Sequence, residues 1–149
     1  MWLKAMYFAS LFFAALALAP AMAHLLELPN KINLTGEDYL VVQRNYRGWA
    51  LVGVAVVAAF VSTLVLTIML RIRGGPFALA LIAFLCIAGT QVIFWMYTFP
   101  ANQQTSNWTV LPENWRALRA QWEYSHAASA VLNLAALTTL ILAVVRRSQ

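Results

Sequence analysis

Four apolar runs, each close to the length needed to cross a bilayer, constrain this chain more than any other feature. The helices that they predict cover about residues 2–26, 47–71, 76–99 and 122–146. A transmembrane helix needs about 20 apolar residues, whereas a strand of a membrane barrel needs only about 10. Since backbone polar groups in lipid must be satisfied internally, runs of this length favour helices. The sequence therefore predicts an all-α fold, an integral membrane bundle of four helices.

The composition supports a lipid environment and a single domain. Apolar residues make up 62% of the 149 residues and charged residues only 10%, whereas soluble domains carry about 25% charged residues. We expect one transmembrane domain over residues 1–149, with loops at 27–46 and 100–121. The net charge of +5 does not indicate nucleic-acid binding, because the basic residues lie at the ends of apolar runs. The lone Cys86 excludes an internal disulfide and offers no thiolate cluster.

The basic residues also predict an orientation. One end of the bundle has basic residues and no acidic ones: Lys4, Arg71, Arg73, Arg146 and Arg147. At the other end five basic residues are balanced by five acidic ones. The positive-inside rule places the first end, with both termini, in the cytoplasm. We expect a multi-pass protein of the plasma or inner membrane, with the two longer loops outside.

The two longer loops and the N-terminal segment each carry a further sequence signal. Thr35-Gly36-Glu37-Asp38 is typical of a helix start, and residues 113–124 carry aromatic residues at helical spacing. These segments predict short helices at the outer membrane interface, either as a surface cap or as a lid over a site. Ala21-Met22-Ala23 is also typical of a secretory signal. We interpret that segment as a first transmembrane helix, which keeps His24 internal.

The two histidines lie in mirrored motifs. His24 precedes Glu27 by three residues, and His126 follows Glu123 by three. Residues i and i+3 share a helix face, and the first and last helices run in opposite directions. If they are neighbours, both histidines lie at one depth, with both glutamates one turn nearer the outer surface. The alternative is that each glutamate only pairs with Arg116, Arg119 or Lys31 at the membrane edge.

Such a cluster favours two kinds of chemistry. Imidazole and carboxylate groups together bind iron, copper, zinc or manganese, so His24, Glu27, Glu123 and His126 are candidate ligands of one metal ion, most simply iron, copper or zinc. A di-iron site is disfavoured because the second and third apolar runs contain no carboxylate. Alternatively, Glu27 or Glu123 acts as a general base, with His126 sharing the proton transfer. No organic cofactor is predicted.

Polar and aromatic side chains near the ends of the third and fourth helices are candidate substrate contacts. Gln91 lies in the outer half of the third helix, where an amide needs a partner. Arg119 precedes Glu123 by four residues and is expected to orient that carboxylate. The candidate substrate-binding residues are Gln91, Trp95, Asn102, Arg119 and Trp122. For Gln91, a helix–helix hydrogen bond is an alternative role.

The last third of the chain resembles a known family. Phe99-Pro100-x-Asn102 is followed by Trp115-Arg116-x-Leu118-Arg119-x-x-Trp122-Glu123-x-x-His126. This pattern, with His24-x-x-Glu27, resembles the anthrone oxygenase-like proteins, four-helix membrane proteins grouped under a domain of unknown function (DUF1772). The resemblance implies oxygenation of a lipophilic aromatic molecule without a conventional organic cofactor. Family members often carry an arginine shortly after the position of His126, and residues 127–131 contain none.

Together these features predict a membrane oxidoreductase, oxygenase-like, that acts on a lipophilic aromatic or quinol-like small molecule. Its partners would be the lipid bilayer and that molecule. The alternative belongs to a different class of protein: a non-catalytic accessory subunit of a larger membrane complex. A partner in such a complex, or a second copy of the chain, would then be a further partner. Small residues on the second helix, at Ala55, Ala58, Ala59 and Ser62, offer a stripe that could contact a partner.

Overall fold

The computed structural model describes residues 1–147, and this range is helical with short connections. Ser148 and Gln149, part of the expected domain, lie outside the described residues. Six α-helices follow one another: α1 (Trp2–Lys31), α2 (Gly36–Gln43), α3 (Val52–Arg73), α4 (Phe77–Ile93), α5 (Phe99–Gln104) and α6 (Trp115–Arg147). Short 3₁₀ turns lie at Arg44–Tyr46 and Trp49–Leu51, and a π-helical turn lies at Phe94–Thr98.

Four helical segments are long and apolar enough to cross a membrane, as predicted. They are Trp2–Lys31, Trp49–Arg73, Phe77–Gln104 and Trp115–Arg146. Helix α1 packs against α3 and α6, and α4 packs against the same two helices, so α1 and α4 occupy opposite corners of the bundle. We call the end with the two long connections, α2 and α5 the loop end. The opposite end, with both termini and the turn at residues 74–76, is the terminus end.

The helices meet through small side chains in the half of the bundle nearer the terminus end. Ala14, Ala59, Ala83 and Ala136 are buried in one apolar cluster. Small residues allow helix backbones to approach closely, which drives packing in lipid. Ala59 and Ser62 are buried inside the bundle. These two residues of the predicted stripe serve internal packing, whereas Ala55 and Ala58 are half-buried.

The first and last membrane helices extend further towards the loop end than predicted. Helix α1 continues to Lys31 rather than ending near residue 26, although Pro29 lies in its last turn. Helix α6 begins at Trp115, seven residues before the expected start. The segment 113–124 was predicted to be partly helical, and most of it belongs to this helix. Because of these extensions, Lys31 lies on the same helix as His24 and Glu27.

Helix α2 begins as its sequence predicts. Thr35 is the N-cap, and its hydroxyl accepts a hydrogen bond from the Asp38 backbone N–H at 3.3 Å. This cap satisfies one of the backbone donors left free at a helix start. Tyr39 is fully buried on the inner face of the helix. Helix α2 therefore lies across the loop end and contributes a side chain to the interior.

A π-helical turn at Phe94–Thr98 connects α4 to α5. Pro100 follows it closely, and proline cannot donate the backbone hydrogen bond that a regular α-helix requires. Side chains from α6 stabilise the irregular segment: Gln121 donates to the Tyr97 carbonyl at 2.8 Å, and Ser125 pairs with Thr98 at 2.8 Å. The turn therefore fixes α5, with Asn102, against the loop-end part of α6.

Candidate functional site

The two histidines lie against each other in the interior of the bundle. The ring centroids of His24 and His126 are 4.2 Å apart, and the ring planes differ by 28°, a stacked arrangement. His24 is buried. Since His24 lies on α1 and His126 on α6, this contact confirms that the two helices are neighbours with their histidines at one depth. The mirrored motifs therefore predicted this pairing correctly.

A lysine lies between the two glutamates. Lys31 Nζ is 3.1 Å from Glu123 Oε2 and 3.4 Å from Glu27 Oε2. The side chains of Lys31 and Glu123 are almost completely buried, at 3% and 0% exposure, whereas that of Glu27 is 46% exposed. A buried ion pair gains most when its remaining hydrogen-bonding capacity is satisfied. The cluster therefore has one sealed carboxylate and one that a ligand can reach.

Two tyrosines complete the carboxylate hydrogen bonds. Tyr39, on α2, donates its hydroxyl to Glu123 Oε1 at 2.9 Å. Tyr46 donates to Glu27 Oε2 and accepts a hydrogen bond from Lys31 Nζ at 3.0 Å. Each glutamate thus contacts the shared ammonium and one phenol. We call Lys31, Glu27, Glu123, Tyr39, Tyr46, His24 and His126 the Lys31 cluster.

Both phenols are held in their protonated form. Burial raises the pKa of Tyr39 well above its ordinary value, and the nearby Glu123 carboxylate raises it further. Burial also raises the pKa of Tyr46, with Glu27 adding to the effect. A phenol that keeps its proton donates steadily to a carboxylate. The two tyrosines therefore act as fixed donors to the glutamates.

The histidine pair contacts this network through one ring nitrogen of His24. His24 Nδ1 lies 3.5 Å from Lys31 Nζ. Because an ammonium group can only donate, Nδ1 faces it as an acceptor, which corresponds to a neutral imidazole. With neutral imidazoles and ionised carboxylates, the cluster has two negative charges and one positive charge. This excess negative charge suits a group that accepts a proton.

Aromatic rings enclose the histidines. The Trp122 ring centroid is 5.0 Å from that of His24 and 4.2 Å from that of His126. Tyr46 and Trp49 lie 4.5 Å and 5.5 Å from His24. Aromatic neighbours exclude water and lower the local dielectric, which strengthens electrostatic interactions. The histidine pair is therefore held in a largely aromatic environment.

The predicted substrate-binding residues separate into two groups. Trp122 belongs to the aromatic wall, and its Nε1 donates to Asn102 Oδ1 at 2.8 Å, so these two residues are joined. Gln91 donates to Thr90 Oγ1 on its own helix at 3.1 Å. Trp95 is 61% exposed, and its ring packs against Phe94 and Phe99 on the bundle surface. The structure thus places Trp122 and Asn102 at the cluster, while the contacts of Gln91 and Trp95 are to their own segment.

Arg119 has a different partner from the one predicted. Instead of pairing with Glu123, its Nη1 donates to the Leu34 carbonyl at 2.7 Å. Its guanidinium lies over the rings of Tyr39 and Trp115, at 5.4 Å and 4.7 Å. The ammonium of Lys31 fills the position beside Glu123 that was expected for the guanidinium. Arg119 therefore anchors the α1–α2 connection to α6.

Lys31, Tyr39 and Tyr46 are the cluster residues that the sequence did not single out as site residues. Lys31 was considered only as a surface partner of a glutamate, and the two tyrosines were given no role in the site. One signal was available: Lys31 follows Glu27 by four residues, a spacing that pairs opposite charges on a helix. It became informative only with α1 continuing past Pro29. The tyrosines gave no comparable signal, because their partners are distant in sequence.

The four expected metal ligands all belong to the Lys31 cluster. Within residues 1–147, no group of three or more His, Cys, Asp and Glu side chains is arranged to hold a metal. The imidazoles of His24 and His126 are stacked rather than directed at a common point. Lys31 Nζ already supplies the positive charge between the two carboxylates. A metal ion held by these residues therefore stays a prediction from the sequence.

Comparisons of the chain with family models, with curated proteins and with solved structures gave no match.

Proposed function

We propose that the protein is a membrane oxidoreductase, oxygenase-like, that uses the Lys31 cluster to take a proton from a lipophilic aromatic molecule. The observation that carries the proposal is the pairing of one buried lysine with two carboxylates, of which only Glu27 is accessible. Ionisable groups inside a membrane protein are costly and usually have a function. The resemblance to the anthrone oxygenase-like family supports the same chemistry and the same substrate class.

Glu27 is the candidate catalytic base. It is half-exposed, and Leu26 beside it is 70% exposed on the surface of the bundle. A lipophilic molecule can therefore approach the carboxylate from the bilayer. Glu123, completely buried, holds the lysine, and the lysine in turn orients Glu27. In this proposal Glu27 contacts the substrate, while Lys31 and Glu123 are positioning residues.

The histidine pair and the aromatic wall extend the site. His126 is only partly buried, and a neutral imidazole there is suited to pass a proton onward. Trp122, held by Asn102, is buried against both histidines and keeps their rings in place. Gln91, Trp95 and Arg119 do not enter the proposed mechanism.

The reaction balances with molecular oxygen as the oxidant. Glu27 removes a proton from an acidic C–H next to an aromatic ketone, which leaves a stabilised carbanion. The carbanion transfers electrons to O₂ and forms a new C–O bond, and protonation gives a hydroperoxide. Loss of water then leaves a carbonyl group, so that the substrate's CH₂ and O₂ become C=O and H₂O. The step that a base accelerates is the first proton transfer.

Two predictions from the sequence do not contribute to this proposal. A metal ion is not required, because Lys31 supplies the cation between the carboxylates. The alternative role as an accessory subunit loses half of the small-residue stripe, since Ala59 and Ser62 are buried while Ala55 and Ala58 are half-buried. The distribution of basic residues still favours a location of the cluster on the outer side of the membrane.

The proposal is tested with the purified full chain in phospholipid nanodiscs. Anthrone serves as the probe, and we measure quinone absorbance and oxygen uptake above the protein-free rate. We expect Glu27→Gln to lower the rate at least about 100-fold, the usual contribution of a positioned general base. Glu113→Gln is the matched control, because Glu113 is an exposed carboxylate at the same end of the bundle.

The result that contradicts the proposal is equally specific. If the wild-type protein oxidises anthrone no faster than empty nanodiscs, or if Glu27→Gln and Glu113→Gln have equal activity, Glu27 is not the base. A Lys31→Met variant that keeps full activity would contradict the positioning role of the lysine.

A further inference from the structure

A cavity separate from the Lys31 cluster opens at the loop end. Its volume is about 100 Å³, and it lies between the C-terminal end of α2 and the turn that follows α5. The lining residues are Gln43, Arg44, Arg47, Asn107, Trp108 and Thr109. A water molecule takes about 30 Å³ of liquid volume, so the cavity has room for one small polyatomic ion.

The charge of this cavity is positive and uncompensated. Arg44 and Arg47 line it, and the lining contains no carboxylate. Among the side chains that the structure describes, residues 1–146, both ion pairs are made by Lys31, so neither arginine is paired with an acidic side chain. Arginine presents several N–H donors in a planar fork that matches the oxygens of phosphate. The cavity thus has the charge and the donors that an oxyanion requires.

Two further donors in the lining lack partners. Gln43 Nε2 and Trp108 Nε1 are both buried, and neither makes a hydrogen bond. The Gln43 amide also lies close to the Tyr39 hydroxyl, one turn earlier on α2. A buried donor without an acceptor is unfavourable and calls for an explanation. A ligand rich in acceptor oxygens would supply such donors with partners.

The backbone beside the cavity is held in a strained conformation. Ser106, Asn107 and Trp108 have φ angles of 48°, 56° and 59°. Residues with a Cβ atom avoid this left-handed region, and three in succession are costly. Thr105 Oγ1 fixes the turn by accepting from the Trp108 backbone N–H at 3.1 Å. Enforced strain of this kind is concentrated at ligand sites, and here it presents Asn107 and Trp108 to the cavity.

We infer that this cavity is a binding site for a phosphate group. Arg44 and Arg47 would bind its oxygens, with the side chains of Gln43 and Asn107 as additional donors. The inference does not depend on the proposed oxidoreductase activity, because it uses none of the residues of the Lys31 cluster. The phosphate could belong to a phospholipid headgroup or to a free phosphate ion, since both present the same oxygens to the arginines.

The first experiment measures binding of free phosphate. Protein depleted of lipid in a mild non-ionic detergent is titrated with inorganic phosphate at constant ionic strength, by isothermal titration calorimetry. We expect saturable binding, and a dissociation constant raised about tenfold by Arg44→Gln or Arg47→Gln, because charge-assisted hydrogen bonds are lost. Arg116→Gln is the matched control: Arg116 is an exposed arginine at the same end, outside the cavity.

The second experiment tests the lipid source. Native mass spectrometry of protein extracted from bilayers of phosphatidylcholine and phosphatidylglycerol counts the phospholipids that stay bound. A retained phospholipid that is lost in Arg44→Gln and Arg47→Gln, but kept in Arg116→Gln, supports the site and identifies a headgroup as its ligand. Phosphate binding with the same dependence on the variants, without retained lipid, supports the site and identifies the free ion.

The inference is overturned by either of two results. One is the absence of both phosphate binding and lipid retention in the wild-type protein. The other is an equal loss in all three arginine variants, which would show that general surface charge, and not the cavity, attracts the anion. Melting temperatures of the variants are measured in parallel, and we expect them to be unchanged because all three arginines are exposed.

Discussion

The two halves of the bundle use polar side chains in opposite ways. Near the terminus end, hydroxyl groups bond to the backbone of their own helix, as Thr63 does to the Ala59 carbonyl at 2.7 Å and Thr67 to the Thr63 carbonyl at 2.7 Å. Near the loop end, polar side chains join different segments, as Lys31 of α1 and Glu123 of α6 do. In the terminus half, each hydroxyl group is satisfied within its own helix. In the loop half, ionisable groups of different segments contact each other.

This difference distinguishes the half of the bundle that mainly provides stability from the half to which we assign the proposed function. Buried alanines and leucines hold the terminus half together by close packing, and no charge is needed there. The loop half encloses a charged network although an apolar core of the same volume would be at least as stable. The Lys31 cluster is therefore best explained by what it does, and variants in the two halves should behave differently.

The largest effect is expected from removal of the buried carboxylate. Glu123→Gln leaves Lys31 without its sealed counter-ion, and loss of one partner of a buried pair costs about 3–5 kcal/mol. The free energy of unfolding in mixed micelles, measured with increasing denaturing detergent, is the observable. Glu113→Gln, at an exposed site of the same half, should stay near the wild type. If Glu123→Gln lowers the free energy of unfolding by less than about 1 kcal/mol, water reaches the ion pair more readily than the structure indicates.

A smaller effect, in the opposite direction, is expected when the whole network is replaced. The triple variant carries Lys31→Met, Glu123→Leu and Tyr39→Phe, and it leaves no unpaired polar group from this pair. Its free energy of unfolding should therefore be about 2 kcal/mol higher than that of Glu123→Gln. Anthrone oxidation should nevertheless be lost, since the lysine that orients Glu27 is gone. A triple variant that is stable and active would remove the link between the cluster and function.

Much of this organisation could be predicted from the sequence, because it depends on local patterns. Apolar length predicted the four membrane helices, and the mirrored spacing of His24 and Glu27 with Glu123 and His126 predicted which side chains would meet. The Thr35 cap was also predicted and confirmed. These features rest on helix periodicity and bilayer thickness, which act within one segment.

The remaining features depend on contacts between segments that are distant in sequence. Tyr39 reaches Glu123 across 84 residues, and Arg119 reaches the Leu34 carbonyl across 85. Nothing in the local pattern distinguishes a tyrosine that faces lipid headgroups from one that donates to a buried carboxylate. Lys31 was missed for a related reason, since Pro29 suggests a helix end and hides the i,i+4 spacing to Glu27.

The pH dependence of stability should also differ between the halves. Burial and Glu123 raise the pKa of Tyr39 in the folded protein above its ordinary value of 10.0. The stabilisation is therefore complete well below pH 10 and is lost as the pH rises through this value, by about 1 kcal/mol between pH 10 and pH 11. Unfolding free energies at pH 8, 10 and 11 measure this. Tyr39→Phe should lack this part of the slope, while Tyr124→Phe, at an exposed site, should keep it.

The smallest effect is expected in the terminus half. Thr63 is completely buried, yet its hydroxyl bonds only to carbonyls of its own helix, and those carbonyls already accept backbone hydrogen bonds. Thr63→Val keeps the shape of the side chain, so we expect a change of about 0.6 kcal/mol or less in unfolding free energy. Activity on anthrone should be unchanged. A loss as large as that of Glu123→Gln would mean that the hydroxyl has a partner on another helix and that the two halves are built alike. A small change, together with a large one at Glu123, would show that burial alone does not decide the cost of losing a polar group. What decides it is whether the group's partner can be satisfied by its own helix.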